Sequence, residues 1–192
     1  MILVKEHHKL FILDEITSTD DIKQSLIGFH AFTGNDYVSS FYRKGKKACW
    51  RVLEKNPKFI KAFQDLGSTW ELNHNTFELL NEYICMLYGF KQKDVNEVRF
   101  KLFETKYEKQ SKVIDLSTLP PCQSVLKLHA NRANFVSKMF KSSLVAQMQI
   151  PDITAHGWDE KGNIIWLDKE FPDNIEELVI DPAYDEDETD IR

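Results

Sequence analysis

Residues 29–53 read FHAFTGNDYVSSFYRKGKKACWRVL and predict an apolar helix that ends at a glycine, followed by an acid and then by a pair of basic helices with a glycine at the bend between them. The first helix ends at Gly34, an acid follows at Asp36, and Gly45 precedes the lysine-rich segment. Glycine allows backbone N–H groups to approach a phosphate closely, and the N-terminus of the next helix favours an anion. The stretch therefore predicts a phosphate-binding bend whose lysines neutralise neighbouring phosphates.

Charge is distributed unevenly along the chain, whose net charge is -5. Residues 42–61 hold eight Lys and Arg against the single acid Glu54, and residues 173–192 hold nine acids against one base. The basic run is either an electrostatic footprint for phosphate or a solvated surface. Residues 181–192 lack the apolar side chains that offset ordering entropy, so they are predicted to be a disordered acidic tail that competes with a polyanion for the basic run.

Helical periodicity dominates the rest of the chain and predicts a mainly α fold, a helical bundle that contains a helix-hairpin-helix-like element. Caps, glycines and prolines place the predicted helices at residues 20–32, 37–42, 46–55, 58–66, 75–89, 95–107 and 120–151. A charged turn between aromatic and β-branched residues predicts a small C-terminal β-hairpin at residues 158–166. His129 and Arg132 are predicted to be scaffold positions that tie the longest helix to this hairpin.

The predicted organisation has four parts. Residues 1–68 are the segment with the helical hairpin, and residues 69–150 are a helical region. Residues 151–180 are a β-hairpin appendage, and residues 181–192 are the acidic tail.

Composition narrows the class of protein. A chain of 192 residues, 42% hydrophobic and 12% aromatic, can bury one sizeable core. No apolar run approaches the roughly 18 residues of a membrane-spanning helix, and the N-terminus is too short and too charged for a signal peptide. Three cysteines without close spacing argue against a disulfide scaffold. We therefore expect an intracellular protein, nuclear or cytoplasmic, with no membrane partner.

Two short motifs carry a first resemblance: Gly34-Asn35-Asp36-Tyr37, and Gly45 followed by Lys47. They resemble the Gly-x-Asp-Tyr motif and the helix-hairpin-helix of flap-endonuclease-type, PIN-like nucleases. In that family the aspartate is one of several carboxylates that hold divalent metal ions. The hairpin, with its bound potassium ion, grips the backbone of duplex DNA.

A longer resemblance covers nearly the whole chain, from about Leu10 to about Leu178. HAFTG at residues 30–34, Asp36, SF at 40–41 and KGKK at 44–47 match a recurring stretch of uncharacterised, mobile-element-derived animal proteins. Further matches are CMLYG at residues 85–89, RF at 99–100, LF at 102–103, LPPC at 119–122, His129, RAN at 132–134 and HGW at 156–158. The chain therefore resembles the C-terminal part of a nuclease-like protein of this group.

The resemblance implies a metal ligand and a DNA-binding bend. The metal ligand is Asp36, and the DNA-binding residues are Arg43, Lys44, Gly45, Lys46, Lys47 and Arg51. Two-metal hydrolysis needs several carboxylates around shared ions, so magnesium at Asp36 requires added carboxylates. In the family these belong to a domain that would precede Met1. A local alternative makes Asp36 the N-cap of the helix at 37–42 and Gly45 a simple turn residue.

Three functions follow as hypotheses. The first is a DNA-backbone-binding remnant without an intact catalytic centre, which does not hydrolyse DNA by itself. The second is a divalent-metal-dependent endonuclease completed by an upstream domain or a partner chain. The third is a protein-interaction scaffold with no role in nucleic-acid binding.

Overall fold

This computed structural model describes the backbone of residues 3–6, 9–12, 20–109 and 115–165, and the side chains of residues 20–106 and 115–165. Six α-helices form the fold of these residues: α1 Asp20–Phe32, α2 Lys46–Lys55, α3 Lys58–Asp65, α4 His74–Leu87, α5 Val95–Lys109 and α6 Gln123–Lys141. Short 3₁₀ helices lie at Leu116–Thr118 and Ile153–His156. The prediction of a mainly α fold is confirmed. None of the described helices is both long enough and apolar enough to cross a membrane.

Two short strands, β1 Leu3–Glu6 and β2 Lys9–Ile12, form an antiparallel ladder in which Leu3 is paired with Ile12. The sequence did not predict them, because each strand has only 4 residues and carries too short an alternation to be recognised. The predicted acidic tail lies outside the described residues.

The helices on either side of the bend have the predicted bounds. Asp20 and Asp21 occupy the first turn of α1, where acids favour the positive end of the helix dipole. Gly34, with φ +106, follows the helix in the left-handed region that glycine adopts readily. Helix α2 ends at Lys55, and the backbone N–H of its C-cap residue, Asn56, donates to the carbonyl of Leu53.

The predicted helix at residues 37–42 is wrong. The Oδ1 atom of Asn35 accepts the backbone N–H groups of Tyr37 and Val38, at 2.8 and 2.9 Å. This side-chain turn competes successfully with a helical turn. Val38 and Phe41 are buried and anchor the resulting loop to the core. Asp36 is consequently not the N-cap of a helix.

The predicted bounds of the longest helix are also wrong. Helix α6 begins after Cys122, which has an extended backbone, so the two prolines at 120 and 121 precede the helix. It ends at Lys141, ten residues before the predicted stop. Leu144, which was expected to point inward, is 97% exposed in the turn that follows, where none of the described elements covers it.

The described part of the C-terminal segment is a tight turn with a single β-bridge, between Trp158 and Ile164. The carboxylate of Asp159 accepts the backbone N–H groups of Lys161 and Asn163 and closes the turn. Residue 166, the predicted end of a hairpin, lies outside the described residues. The longer hairpin therefore stays a prediction.

One cluster of buried side chains runs from Phe29 in α1 to Val136 in α6, so the predicted segments 1–68 and 69–150 share a core. Its centre is aromatic. The ring of Phe63 lies 5.9 Å from that of Phe32 and 5.1 Å from that of Tyr83, and the hydroxyl of Tyr83 donates to the carbonyl of Cys49. Aromatic pairs of this kind bury large areas and hold preferred edge-to-face geometries.

Helix α1 packs directly on α3. A Cβ atom added to Gly28 would lie 2.1 Å from the carbonyl oxygen of Phe63, so only glycine permits this approach. The close contact fixes the position of the last turn of α1 relative to the aromatic centre.

A buried histidine joins α6 to the end of α1. The Nε2 atom of His129 is hydrogen-bonded to the carbonyl oxygen of Phe32 at 2.8 Å, and its ring packs on Phe32 and Phe41. Burial is the main reason that the pKa of His129 falls from 6.5 to about 4. His129 therefore joins α6 to α1 and not to the predicted hairpin, whereas Arg132 does reach the C-terminal turn, through Gly157.

We predict that acid destabilises the protein through His129. An unfolded chain binds this proton at about pH 6.5 and the folded chain only near pH 4. The free energy of unfolding should fall as the pH drops between these values, by about 3 kcal/mol in total from this group. Urea unfolding of the wild type and of His129→Gln, at pH 7.5 and pH 4.5, measures the effect. In His129→Gln the difference in unfolding free energy between the two pH values should be much smaller than in the wild type, whereas in His74→Gln, which changes an exposed histidine, it should be unchanged. The same pH dependence in all three proteins would show that His129 is not the group responsible.

Candidate nucleic-acid interface

The bend between α1 and α2 turns at Arg43 and Gly45. Arg43 has φ 56, a left-handed conformation that L-residues rarely adopt. Gly45 has an extended backbone, with φ -68 and ψ 161, and precedes α2 as its N-cap. An added Cβ on Gly45 would meet no atom within 4 Å, so packing does not require glycine there.

The ammonium group of Lys46 folds back onto the end of α1. It donates to the carbonyl oxygens of His30 and Gly34, at 3.1 and 2.6 Å, and to the hydroxyl of Thr33, at 3.0 Å. These bonds use all three N–H groups of the ammonium, and desolvation lowers its pKa. Lys46 was predicted to bind phosphate; the structure gives it a capping role at the C-terminus of α1.

The two residues before Gly45 lie on aromatic rings. The guanidinium of Arg43 is 5.0 Å from the centre of the Tyr42 ring, and the ammonium of Lys44 is 4.6 Å from the centre of the Tyr88 ring. Cation–π contacts at exposed sites contribute about 0.5–1 kcal/mol and leave the donor atoms available. Both cations can therefore still contact an anion.

Lys47 and Arg51 are exposed and lie one helical turn apart on the same face of α2. Neither is in an ion pair, since the ion pairs among the described residues involve Lys23, Lys58 and Lys61. Glu54, the acid of the basic run, accepts a hydrogen bond from the indole of Trp50 at 2.7 Å. Lys47 and Arg51 are consequently not held in an ion pair by the acid of their own helix.

A polar cleft of about 770 Å³ lies between the loop after α1 and the bend. Asn35, Ser39 and Ser40 line one side, and Arg43 and Lys44 line the other. The N-terminus of α2 opens beside it, without a side-chain cap or an acid in its first turn. The Nδ2 atom of Asn35 is buried without a hydrogen-bond partner. Sequence reasoning missed Asn35, although an Asx turn before a bend is a recognisable local signal.

Asp36, the predicted metal ligand, is exposed on the loop. Its charge raises the pKa of His30, which burial and the nearby Lys46 lower by more. Among the described residues, no group of three or more His, Cys, Asp or Glu side chains is placed to hold a metal ion. A magnesium site at Asp36 therefore stays a prediction that depends on carboxylates from elsewhere.

A second concave surface, which we call the apolar groove, has a volume of about 710 Å³. Asp36 and Tyr37 lie at its edge. Its apolar lining comes from α6 and the segment after it and includes Phe135, Met139, Phe140, Met148, Trp158 and Ile164. The sequence did not predict the groove, because residues 142–150 were assigned to a continuing helix.

Comparison of the chain with protein-family models, curated proteins and solved structures found no match. The resemblance to PIN-like nucleases therefore remains an expectation from the motifs.

We predict that Lys46 supports the fold and that Lys47 does not. Lys46→Met keeps the aliphatic stem but leaves three acceptors at the end of α1 without their donor, which should cost about 1–2 kcal/mol of unfolding free energy. Lys47→Met, one residue away, should change it by less than about 0.5 kcal/mol. Urea unfolding followed by circular dichroism measures both. Equal stability of the two variants would contradict the capping role.

Proposed function

We propose that this protein binds the phosphate backbone of duplex DNA, without reading base edges, through the exposed cations of the bend and α2. The observation that carries the proposal is the pair Lys47 and Arg51, which are exposed, one turn apart and without an ion pair among the described residues. Neutralising phosphates with such side chains releases counterions and supplies affinity that does not depend on sequence.

The surroundings of this pair support the proposal. Arg43 and Lys44 extend the positive surface to the turn before α2. The uncapped N-terminus of α2 adds partial positive charge beside the polar cleft. Backbone binding requires only such donors and charges, with no element inserted into a groove.

Lys46 and Lys47 have different roles in the proposed binding of DNA. Lys46 holds the end of α1 through its three hydrogen bonds, so it positions the bend instead of contacting DNA. Lys47 and Arg51, which make no such contacts, are the residues that meet phosphate. The proposal therefore assigns DNA contact to Arg43, Lys44, Lys47 and Arg51. Gly45, the N-cap of α2, leaves the N-terminus of this helix accessible to a phosphate.

We predict a salt-dependent affinity for duplex DNA. The logarithm of the binding constant should fall linearly with the logarithm of salt concentration, and Lys47→Ala/Arg51→Ala should reduce the slope by about one unit per residue removed. Fluorescence anisotropy with a labelled duplex at several salt concentrations measures the slope. The reduction should be the same for duplexes of unrelated sequence.

Lys161→Ala is the control, because Lys161 is exposed in the C-terminal turn and does not line the polar cleft beside the bend. It should leave the slope within error of the wild type. A flat slope in the wild-type protein, or an unchanged slope in Lys47→Ala/Arg51→Ala, would reject DNA binding. The protein-interaction scaffold would then be the better hypothesis.

We further propose that the chain is a remnant of a mobile-element-derived protein related to PIN-like flap nucleases, without a complete catalytic centre. The motifs around Asp36 and Gly45 support this kinship, and the exposed position of Asp36 leaves room for carboxylates from an upstream domain or a partner chain. Such an addition would make the complex a divalent-metal-dependent endonuclease.

We predict that this chain alone does not cut DNA. A labelled duplex or flap substrate incubated with the protein and millimolar magnesium should remain intact on a denaturing gel, and Asp36→Asn should bind DNA as the wild type does. Cleavage by the wild type that disappears in Asp36→Asn would show that the centre is complete and would overturn the proposal of a remnant.

A further inference from the structure

Four aromatic rings line the apolar groove. Phe135 is buried, and its ring centre lies 5.5 Å from that of Trp158 with 67° between the two ring planes, so these rings form a corner. Phe140 and Tyr37, which are 38% and 63% exposed, line the more open part. Aromatic side chains are therefore present both in the buried part of the groove and at its edge.

The charge of the groove comes from one carboxylate. Among the described residues that line it, Asp36 is the only one with a charged side chain. Asp36 is exposed, and no ion pair among the described residues includes it. Its carboxylate is therefore available to a cation that enters the groove.

The two lysines near the end of α6 are bonded to α3 and to the turn after it. The ammonium of Lys138 donates to the carbonyl oxygen of Ser68 at 3.0 Å. The ammonium of Lys141 donates to the carbonyl oxygens of Gln64 and Leu66, both at 2.6 Å. Neither lysine lines the groove, so α6 adds no cation to its lining.

His30 lies beside the edge of the groove, where its ring centre is 6.4 Å from that of Phe140. Burial and the nearby Lys46 lower the pKa of His30 by more than Asp36 raises it. At neutral pH this histidine is consequently mostly uncharged and does not compete with a cationic ligand for Asp36.

Aromatic faces and a single carboxylate suit a large organic cation better than a metal ion. The face of an aromatic ring attracts a cation within about 6 Å of its centre, and cages of such rings bind quaternary ammonium groups in proteins. The polarizable thioethers of Met139 and Met148 add an apolar lining that methyl groups can contact. Magnesium, in contrast, requires several oxygen ligands in an octahedral arrangement, and this lining offers one carboxylate.

We propose that the apolar groove binds a small organic cation with a quaternary, methylated ammonium group, with Asp36 as its counter-ion and the rings of Tyr37, Phe140 and Trp158 against its methyl groups. The volume of the groove, about 710 Å³, lies within the range of about 300–1,000 Å³ that is typical of small-molecule sites.

This proposal is independent of DNA binding. Arg43, Lys44, Lys47 and Arg51, which are assigned to DNA contact, do not line the groove.

Choline and its uncharged carbon isostere, 3,3-dimethylbutan-1-ol, separate the attraction of charge from the burial of apolar surface. Each compound is titrated into the full-length protein labelled with ¹³C at the methionine methyl groups, with sodium chloride adjusted to hold the ionic strength constant. The signals of Met139 and Met148 should shift, and that of Met86, which lies in α4 and does not line the groove, should stay in place. Choline should bind about tenfold more tightly than the isostere, because the rings and the carboxylate attract only the charged compound.

Two variants assign the effect to the groove. Asp36→Asn removes the charge and keeps the shape, so it should weaken choline binding about fivefold and leave binding of the isostere unchanged. Tyr37→Leu, at an exposed position, should weaken binding of choline more than binding of the isostere, because it removes an aromatic face and keeps an apolar side chain. The control is Asp20→Asn, which removes an exposed acid in the first turn of α1 that does not line the groove and should leave both affinities unchanged.

Equal affinities of the wild type for choline and for the isostere would overturn the proposal and leave the groove as a merely apolar surface. The same affinity for choline in Asp36→Asn as in the wild type would overturn it as well. So would the absence of shifts of Met139 and Met148 at choline concentrations up to about 0.1 M, at which even a site of millimolar affinity is filled.

Discussion

The end of α1 is the constraint on which the rest of the structure depends. A helix that ends inside a protein leaves carbonyl groups that need donors. Here Thr33 donates to the carbonyl of Phe29, Lys46 to that of His30, and His129 to that of Phe32. The donors come from the residue after α1, from α2 and from α6, so satisfying one helix end brings two distant parts of the chain to it. The bend and the polar cleft take their shape from this requirement.

This arrangement explains why a run of similar cations has dissimilar roles. Lys46 donates to carbonyl groups at a helix end, which occupies its N–H groups, whereas Lys47, its neighbour, is exposed and free of such contacts. The positive surface is thus narrower than the basic run suggests, and it is concentrated on one face of α2 and the preceding turn. A sequence-independent contact with phosphate suits such a surface better than recognition of individual bases.

Local signals in the sequence predicted the helices well where no side chain competes for the backbone N–H groups. First-turn acids and Gly34 set α1, and Pro57 set the end of α2. The prediction failed at residues 37–42, where the Asn35 side chain accepts the backbone N–H groups of Tyr37 and Val38. It also failed after Lys141, where the helix ends although apolar residues continue in the sequence. The role of Lys46 could not be predicted from local sequence patterns, because its acceptors lie 12 to 16 residues earlier and come close to it only in the folded chain. The groove, likewise, is formed by segments that come together only through tertiary packing.

The contact between Gly28 and the backbone of Phe63 has a practical consequence for genetics. Any side chain at this position would push α1 away from α3, and the effect would pass to the helix end where the bend is held. Gly28→Ala is therefore a rational choice for a temperature-sensitive allele: it weakens the scaffold from the inside while every surface cation keeps its identity. Such an allele would separate the cellular consequences of losing the whole protein from those of losing its charged face.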